Sequence, residues 1–244
     1  MLLKGQSAAD YYKNRWFDKC WKEFREAVHG QRFVLREEDQ WRCLDDNTGS
    51  TGFDPHYLYH PAWAARCVRK INPAKHIDIS SKLDFVTITS AFVPVEFYDF
   101  RPADVHLDGL ACRAADLNAL PFADNSVESL SCMHVVEHIG LGRYGDAIDY
   151  DGDLKAIAEL KRVVAPGGSL LFVVPMGREA KIQYNAHRIY TYDMVKELFD
   201  DMEIVEFAFI RYQNHGEETF YPQADRAVTL TEDYGCGCFW FRKK

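Results

Sequence analysis

Three histidines stand where an imidazole can move a proton. His134 closes the apolar run from Val127 to Met133, and His138 follows one helical turn later. His187 lies further on, in the segment Asn185-Ala186-His187-Arg188-Ile189-Tyr190. An imidazole titrates near neutrality, so each can act as general base toward a hydroxyl. The end of a strand is the better place for such a base, which favours His134. Three aspartates form a second set. Asp78 lies in the run His76 to Ile79, Asp99 follows the run Val95 to Tyr98 after 21 residues, and Asp116 follows a short run at Arg113 to Ala115. A carboxylate at the end of the second strand can accept from both hydroxyls of a ribose, and Asp99 has the corresponding spacing.

These side chains can cooperate only if the intervening elements bring strand ends to one edge. The β-like runs are His76 to Ile79, Val95 to Tyr98, Val127 to Met133, Ser169 to Val174, Glu203 to Ile210 and Cys236 to Phe241, and Arg113 to Ala115 would make a seventh. The first four of the six alternate with turns or helices, which predicts a parallel sheet with crossovers. Asp153 to Val164 is the clearest helix, with Leu154, Ile157, Leu160 and Val164 on one face and Pro166-Gly167-Gly168 ending it. Upstream, Trp16, Cys20, Phe24 and Val28 give Ser7 to Val28 an apolar stripe expected to face a core. The turn-rich stretch 45–52 breaks the chain, and a new helix is expected from His60 with Pro61 in its first turn. The expected division is an N-terminal helical cap and linker over 1–55 and a second domain over 56–244. Tyr57, Tyr59 and His60, just inside the second, are candidates for a lid.

Composition narrows the partners. The 244 residues are 47% hydrophobic and 27% charged, with a net charge of −8, so the chain can bury a core. No basic stripe marks it for nucleic acid, and its longest apolar stretch, Leu170 to Pro175, is far short of a membrane span. Neither a nucleic-acid nor a membrane partner is expected. Seven cysteines cannot all pair within the chain, which fits a reducing, cytoplasmic setting. Cys236 and Cys238 form a single pair without a partner pair at zinc spacing, and Asp149, Asp151 and Asp153 are out of register for a calcium loop. No metal is expected. The sequence does not fix the oligomeric state.

Asp116 is followed by LNALPFADNSVESL, then HVVEH, then ELKRVVAPGGSLLFVVP. Across about residues 60–210 this resembles the class I S-adenosylmethionine-dependent methyltransferases, in particular their small-molecule branch. The residues that carry the resemblance include Asp116, Leu120, Pro121, Phe122, Asp124, Glu137, His138, Glu159, Arg162 and Pro166 to Gly168. Within that group, HVVEHIGLGRYGD and NAHRIY resemble a methyltransferase-like family first named from nematode sequences, a match that carries no activity. The resemblance implies a Rossmann-like α/β fold with a seven-stranded sheet in the order 3-2-1-4-5-7-6, S-adenosyl-L-methionine as cofactor, and methyl transfer to a small polar acceptor, a sugar or glycan precursor being one candidate. It places Asp99 on the ribose, Asp116 at the adenine amino group, and Leu117 or Phe122 against the purine. Arg188 and Tyr190 fall in an acceptor-side loop with His187.

One departure bears on the cofactor. Where the family has D-x-G-x-G-x-G, this chain reads Asp78-Ile79-Ser80-Ser81-Lys82-Leu83-Asp84. Glycine there permits positive φ and close approach of backbone to ligand. In its place Ser80 and Ser81 offer hydroxyls, and Lys82 a cation, to the methionine carboxylate. The rival reading is a non-catalytic scaffold or ligand-sensing module of the same fold that has lost the cofactor. A nicotinamide-dependent oxidoreductase is weaker, because no G-x-G-x-x-G follows a strand.

Overall fold

The computed structural model describes residues 7–30, 32–212 and 218–244. The chain forms two compact units, 1–53 and 54–244. In the first, helix α1 (Ala8–Ala27) opens with a reciprocal cap between Ser7 and Asp10. Its aromatic stripe does not face a core: no residue of α1 is buried, and Trp16 and Phe24 are exposed. Polar contacts along the helix take the place of apolar packing. Arg42 donates to Asp18 at 2.7 Å while its guanidinium lies over Phe17, and Arg25 and Trp21 both donate to Glu37.

The second unit begins with α2 (Pro55–Ile71). This helix starts before the expected His60, because Asp54 accepts from the Tyr57 amide at 3.1 Å and Pro55 occupies the first turn, a stronger start signal than His60-Pro61. His56, Tyr57 and His60 therefore ride on the opening turns of a helix. The chain continues through β1 (His76–Ile79), α3 (Leu83–Thr89), β2 (Val95–Asp99), β3 (Leu110–Ala114), β4 (Val127–Met133), α4 (Gly152–Val163) and β5 (Val164–Met176). The hairpin strands β6 (Lys181–Gln183) and β7 (His187–Ile189), helix α5 (Tyr192–Leu198), β8 (Met202–Arg211), β9 (Phe220–Tyr221) and β10 (Gly235–Lys243) complete it.

The main sheet has eight strands in the order β3-β2-β1-β4-β5-β10-β8-β9. Strands β3, β2, β1, β4 and β5 are parallel, and β10 inserts antiparallel between β5 and β8. This is the expected seven-strand order, with the two-residue β9 added at the outer edge. Both faces of the sheet are covered. Leu170, Phe172 and Val174 of β5 pack with Ile157 and Leu160 of α4, while the alternate Leu171 and Val173 pack with Trp63 and Val68 of α2 and with Phe85 of α3. Each such side chain contributes about 1.5–3 kcal/mol of burial. The E-x-x-R pair of the sequence pattern is a brace. Arg162 donates to Glu159, Asp124 and the carbonyls of Leu120 and Phe122, while Glu159 accepts from the Leu120 amide, tying the loop after Asp116 to α4.

Parallel strands end on one edge. The residues following β3, β2, β1 and β4 are Ala115, Phe100, Ser80 and His134, and antiparallel β10 brings Tyr234 and Cys236 to the same edge. Among the described residues no helix is long and apolar enough to cross a membrane.

Candidate functional site

A crevice of about 570 Å³ opens over this edge, walled on the far side by the loop from Val135 to Gly152. Ser80, Asp99, Asp116, Leu117, His134 and His138 line it together with Arg101 and Tyr144. The wall is held rigidly. Asp146 accepts from the Gly140 amide at 2.7 Å, and Gly140 has a φ of +80° with the Asp149 carbonyl only 2.0 Å from where a Cβ would stand.

At one end of the crevice, Asp99 accepts from the Arg101 amide at 2.7 Å through Oδ1, and Asp116 accepts from the Asn118 amide at 2.8 Å through Oδ1. Among the described residues neither second oxygen has a protein donor, so both carboxylates keep an acceptor for a ligand. Leu117 supplies an apolar, buried neighbour. Ser80 takes the place of the family glycine without filling the space. It adopts the left-handed conformation, φ +55°, and its hydroxyl turns back to the Tyr98 carbonyl at 3.2 Å. A non-glycine residue there costs about 1–2 kcal/mol, which the hydrogen bond that the Ser80 amide donates to the Tyr98 carbonyl helps to offset.

Two of the expected cofactor ligands are elsewhere. Asp78 is fully buried, accepting from the Ser81 amide at 3.0 Å and from the Ser131 hydroxyl, and burial pushes its pKa up to about 7. The Ser81 hydroxyl accepts from the Met133 amide at 3.1 Å. Both side chains lock β1 to β4 beneath the crevice and do not line it, so Asp78 and Ser81 are corrected to framework residues. Ser80 keeps its place in the lining, with its hydroxyl committed to Tyr98.

The other end is rich in imidazoles. His138 Nδ1 is 2.7 Å from the Ala186 carbonyl, and its Nε2 is 3.7 Å from Glu137 Oε1. A carbonyl only accepts, so Nδ1 carries the proton and Nε2 of the neutral ring holds the lone pair. His134 is placed differently. Its φ is +57°, its Nδ1 lies 2.9 Å from Glu137 Oε1, and its Nε2 lies 3.3 Å from Cys236 Sγ, so both nitrogens are engaged by the protein. With both nitrogens engaged, the expectation that the strand-ending His134 is the better-placed base gives way to His138. His56 and His60 of α2 pack their rings against it, 5.9 and 4.9 Å away between centroids. Burial lowers the pKa of His56 to about 3 and that of His60 well below its ordinary value, so both are neutral. Of the three lid candidates, His60 is fully buried, Tyr59 stacks on Phe220, and Tyr57 is exposed with its ring 5.4 Å from that of His134.

His187 stacks on Tyr234 behind His138 and is half-buried, which lowers its pKa. Arg188 and Tyr190 do not face an acceptor. Arg188, 6% exposed, donates to the carbonyls of Ile139 and Tyr150 at 2.7 and 2.9 Å, and buried Tyr190 donates to Asp153 at 2.8 Å. They fasten the crevice wall to β7, because an arginine beside a bent loop finds carbonyls before it finds solvent. Sequence reasoning missed Glu137 as a buried hub, Arg101 and Tyr144 in the lining, and His56, Tyr234 and Cys236 beside His134. Arg101, two residues past Asp99, was within reach of the strand-end argument.

A family model described as Caenorhabditis protein of unknown function, DUF268, matches residues 121–224, which span the crevice wall and the segment carrying Arg188. No curated protein matches the chain. Among solved structures, that of MccD protein is 14% identical, with a TM-score of 0.55 over 80% of this chain and 100% of that one. The Burkholderia thailandensis 1,6-didemethyltoxoflavin-N1-methyltransferase, solved with 1,6-didemethyltoxoflavin and S-adenosylhomocysteine bound, is 12% identical, with a TM-score of 0.53 over 76% of this chain and 79% of that one. With the strand order, these likenesses establish a methyltransferase-like, Rossmann-like fold.

Proposed function

We propose that this chain transfers a methyl group from S-adenosyl-L-methionine to a small polar acceptor in the crevice at the carboxyl edge of the sheet. The observation that carries the reading is the convergence of Asp99, Asp116 and Leu117 at one end of the crevice with His138 at the other. Its volume of about 570 Å³ suits a small-molecule site. The residues present fit the cofactor. Asp99 Oδ2 is free to accept from the ribose hydroxyls and Asp116 Oδ2 from the adenine amino group, and Leu117 offers an apolar surface to the purine. Ser80 keeps the left-handed turn that glycine supplies elsewhere and holds its hydroxyl out of the way. Lys82, the expected cation for the methionine carboxylate, pairs with Asp84 at 3.0 Å and is not among the residues lining the crevice, so that role falls to Arg101, which is.

When bound, the cofactor supplies an electrophilic methyl group on a sulfonium. The protein's part is to hold the acceptor in line and keep a lone pair on its nucleophilic atom. His138 Nε2 takes the acceptor proton, Ala186 fixes the tautomer, and the Glu137 carboxylate stabilises the imidazolium that results. Tyr144, which lines the crevice edge-on to His138 at 5.6 Å, limits water around the reacting atoms. The acceptor is a small molecule with a hydroxyl, and His187 lies behind His138, outside the crevice lining.

Calorimetric titration with S-adenosylhomocysteine tests the reading before any acceptor is known. Saturable binding that weakens in Asp99→Ala supports it. Heats indistinguishable from buffer at high ligand concentration refute it in favour of a non-catalytic scaffold of the same fold.

A further inference from the structure

The geometry points to a binding site for a divalent metal ion of the zinc type, held by His56, His134 and Cys236. The three come from the first turn of α2, the residue after β4, and β10, and each offers a ligand atom within 4.8 Å of the others. His134 Nε2 and Cys236 Sγ are already 3.3 Å apart. A tetrahedral zinc with bonds of about 2.0–2.1 Å to nitrogen and about 2.3 Å to sulfur spaces its ligands about 3.3–3.6 Å from one another, so this edge stands at coordination distance. A modest approach of His56 completes the triangle.

Three further observations set this cluster apart from a group of core side chains. His56 is 2% exposed and its Nε2 has no hydrogen-bond partner, which leaves a buried ring nitrogen open to a ligand. Glu137 engages Nδ1 of His134, which fixes the proton there and leaves the Nε2 lone pair facing the Cys236 sulfur. This is the carboxylate–histidine–metal relay that orients zinc-bound imidazoles. Finally, Glu137 is 1% exposed, its Oε2 lacks a partner, and among the described residues no lysine or arginine pairs with it. A divalent ion with the Cys236 thiolate and the Glu137 carboxylate sums to zero charge, so the ion supplies the counter-charge that this buried acid otherwise lacks.

The left-handed backbone at His134 fits the same picture, since strain of this kind persists where the surroundings demand one side-chain position. A metal ion bound by the Cys236 sulfur takes the place of the thiol proton. Three protein ligands leave the fourth tetrahedral position for water or an outside donor. Cys238, with its sulfur 3.8 Å from that of Cys236, is next in line. The expectation of no metal is not met by this geometry, because the three ligands are scattered along the chain and form no spacing motif. The metal site shares Glu137 with His138 and borders the crevice through His134, and its test reads metal binding alone.

The test uses the full chain, stripped with a chelator, dialysed against zinc chloride and then washed, with metal content measured by atomic spectrometry and cobalt(II) used in parallel for its absorption spectrum. The expected result is about one zinc per chain and a thiolate-to-cobalt charge-transfer band. Both are lost in Cys236→Ser and kept in Cys132→Ser, and Glu137→Gln weakens zinc binding about 10–100-fold. Failure of the wild-type chain to retain zinc, or retention by Cys236→Ser equal to wild type, overturns the site. Should Cys236→Ser not fold, His56→Gln decides: an undiminished cobalt band in that variant also overturns it.

Discussion

Glu137 and His134 share one turn of chain and one hydrogen bond, 2.9 Å from Oε1 to Nδ1, with both side chains withdrawn from solvent. The same Oε1 lies 3.7 Å from His138 Nε2, so a single carboxylate serves two imidazoles with different tasks. That division predicts a split in kinetics. His138→Gln should lower turnover by about 10² to 10⁴ while leaving S-adenosylhomocysteine affinity nearly unchanged. An equal loss of cofactor affinity in the same variant would assign His138 to cofactor binding instead.

Asp99 should hold the ribose. Its Oδ1 is committed to the Arg101 amide and Oδ2 is open toward the crevice. Asp99→Ala should cost on the order of 1.5–3 kcal/mol of cofactor binding, or roughly ten- to a hundred-fold in affinity. The check is calorimetry on a variant whose circular dichroism matches the wild type, and unchanged affinity would transfer the role to another residue.

Arg188 separates a binding role from a framework role. Its guanidinium bonds to carbonyls of the crevice wall and lies 3.4 Å from Asp153, with both side chains buried. Arg188→Ala should destabilise the fold by about 3–5 kcal/mol, because Asp153 and the carbonyls lose their partner in a dry setting. Chemical denaturation measures this directly. A variant of wild-type stability with only a raised Michaelis constant would restore the acceptor-binding role.

Asp78 should leave a signature in the pH dependence of stability. Burial raises its pKa from 3.8 to about 7, so the folded state holds this proton where the unfolded state has released it. Its contribution is fully present below about pH 4 and is lost as the pH rises through about 7. His76, with its pKa lowered to about 3 by burial, works in the opposite sense: its contribution is present above its ordinary value of 6.5 and is lost as the pH falls toward 3. The difference between wild type and Asp78→Asn isolates the aspartate, and the variant should gain stability relative to wild type as the pH rises from 5 to 8. A pH-independent difference between the two melting temperatures would show that Asp78 does not titrate in this window.

Much of the frame was legible because its physics is local. The runs at β1, β2, β4, β5, β8 and β10 announce themselves by apolar residues between turns, and the strand order followed from the resemblance carried by the loops between them. Strand β3 was read a few residues late, since as a half-exposed edge strand it has no strong alternation. The α1 stripe misled for a related reason: an amphipathic pattern says which residues share a face, and leaves open whether anything covers it. At the crevice, Asp99, Asp116 and Ser80 could be placed from strand ends alone. Arg188 could not, because its partners are backbone carbonyls, which have no sequence identity. Likewise the grouping of His56 with His134 and Cys236 depends on where α2 and β10 meet the edge of the sheet, a relationship that no interval along the chain encodes.

Strand β10 lies between two strands made before it, β5 and β8, and carries Phe239, Trp240 and Phe241 into the seam. During synthesis the ribosome therefore delivers every other strand of the sheet before the gap between β5 and β8 can close. Until residues 235–243 emerge, β5 and β8 present facing edges with unpaired amides and carbonyls, and the wall of imidazoles lacks Cys236. The nascent chain must spend that interval with two open edges on either side of an apolar gap, the state in which pairing with a neighbouring chain competes with folding. Chaperone demand during expression should accordingly fall on this one late event, and a chain halted just before Gly235 should be far more prone to aggregate than one extended to Lys243.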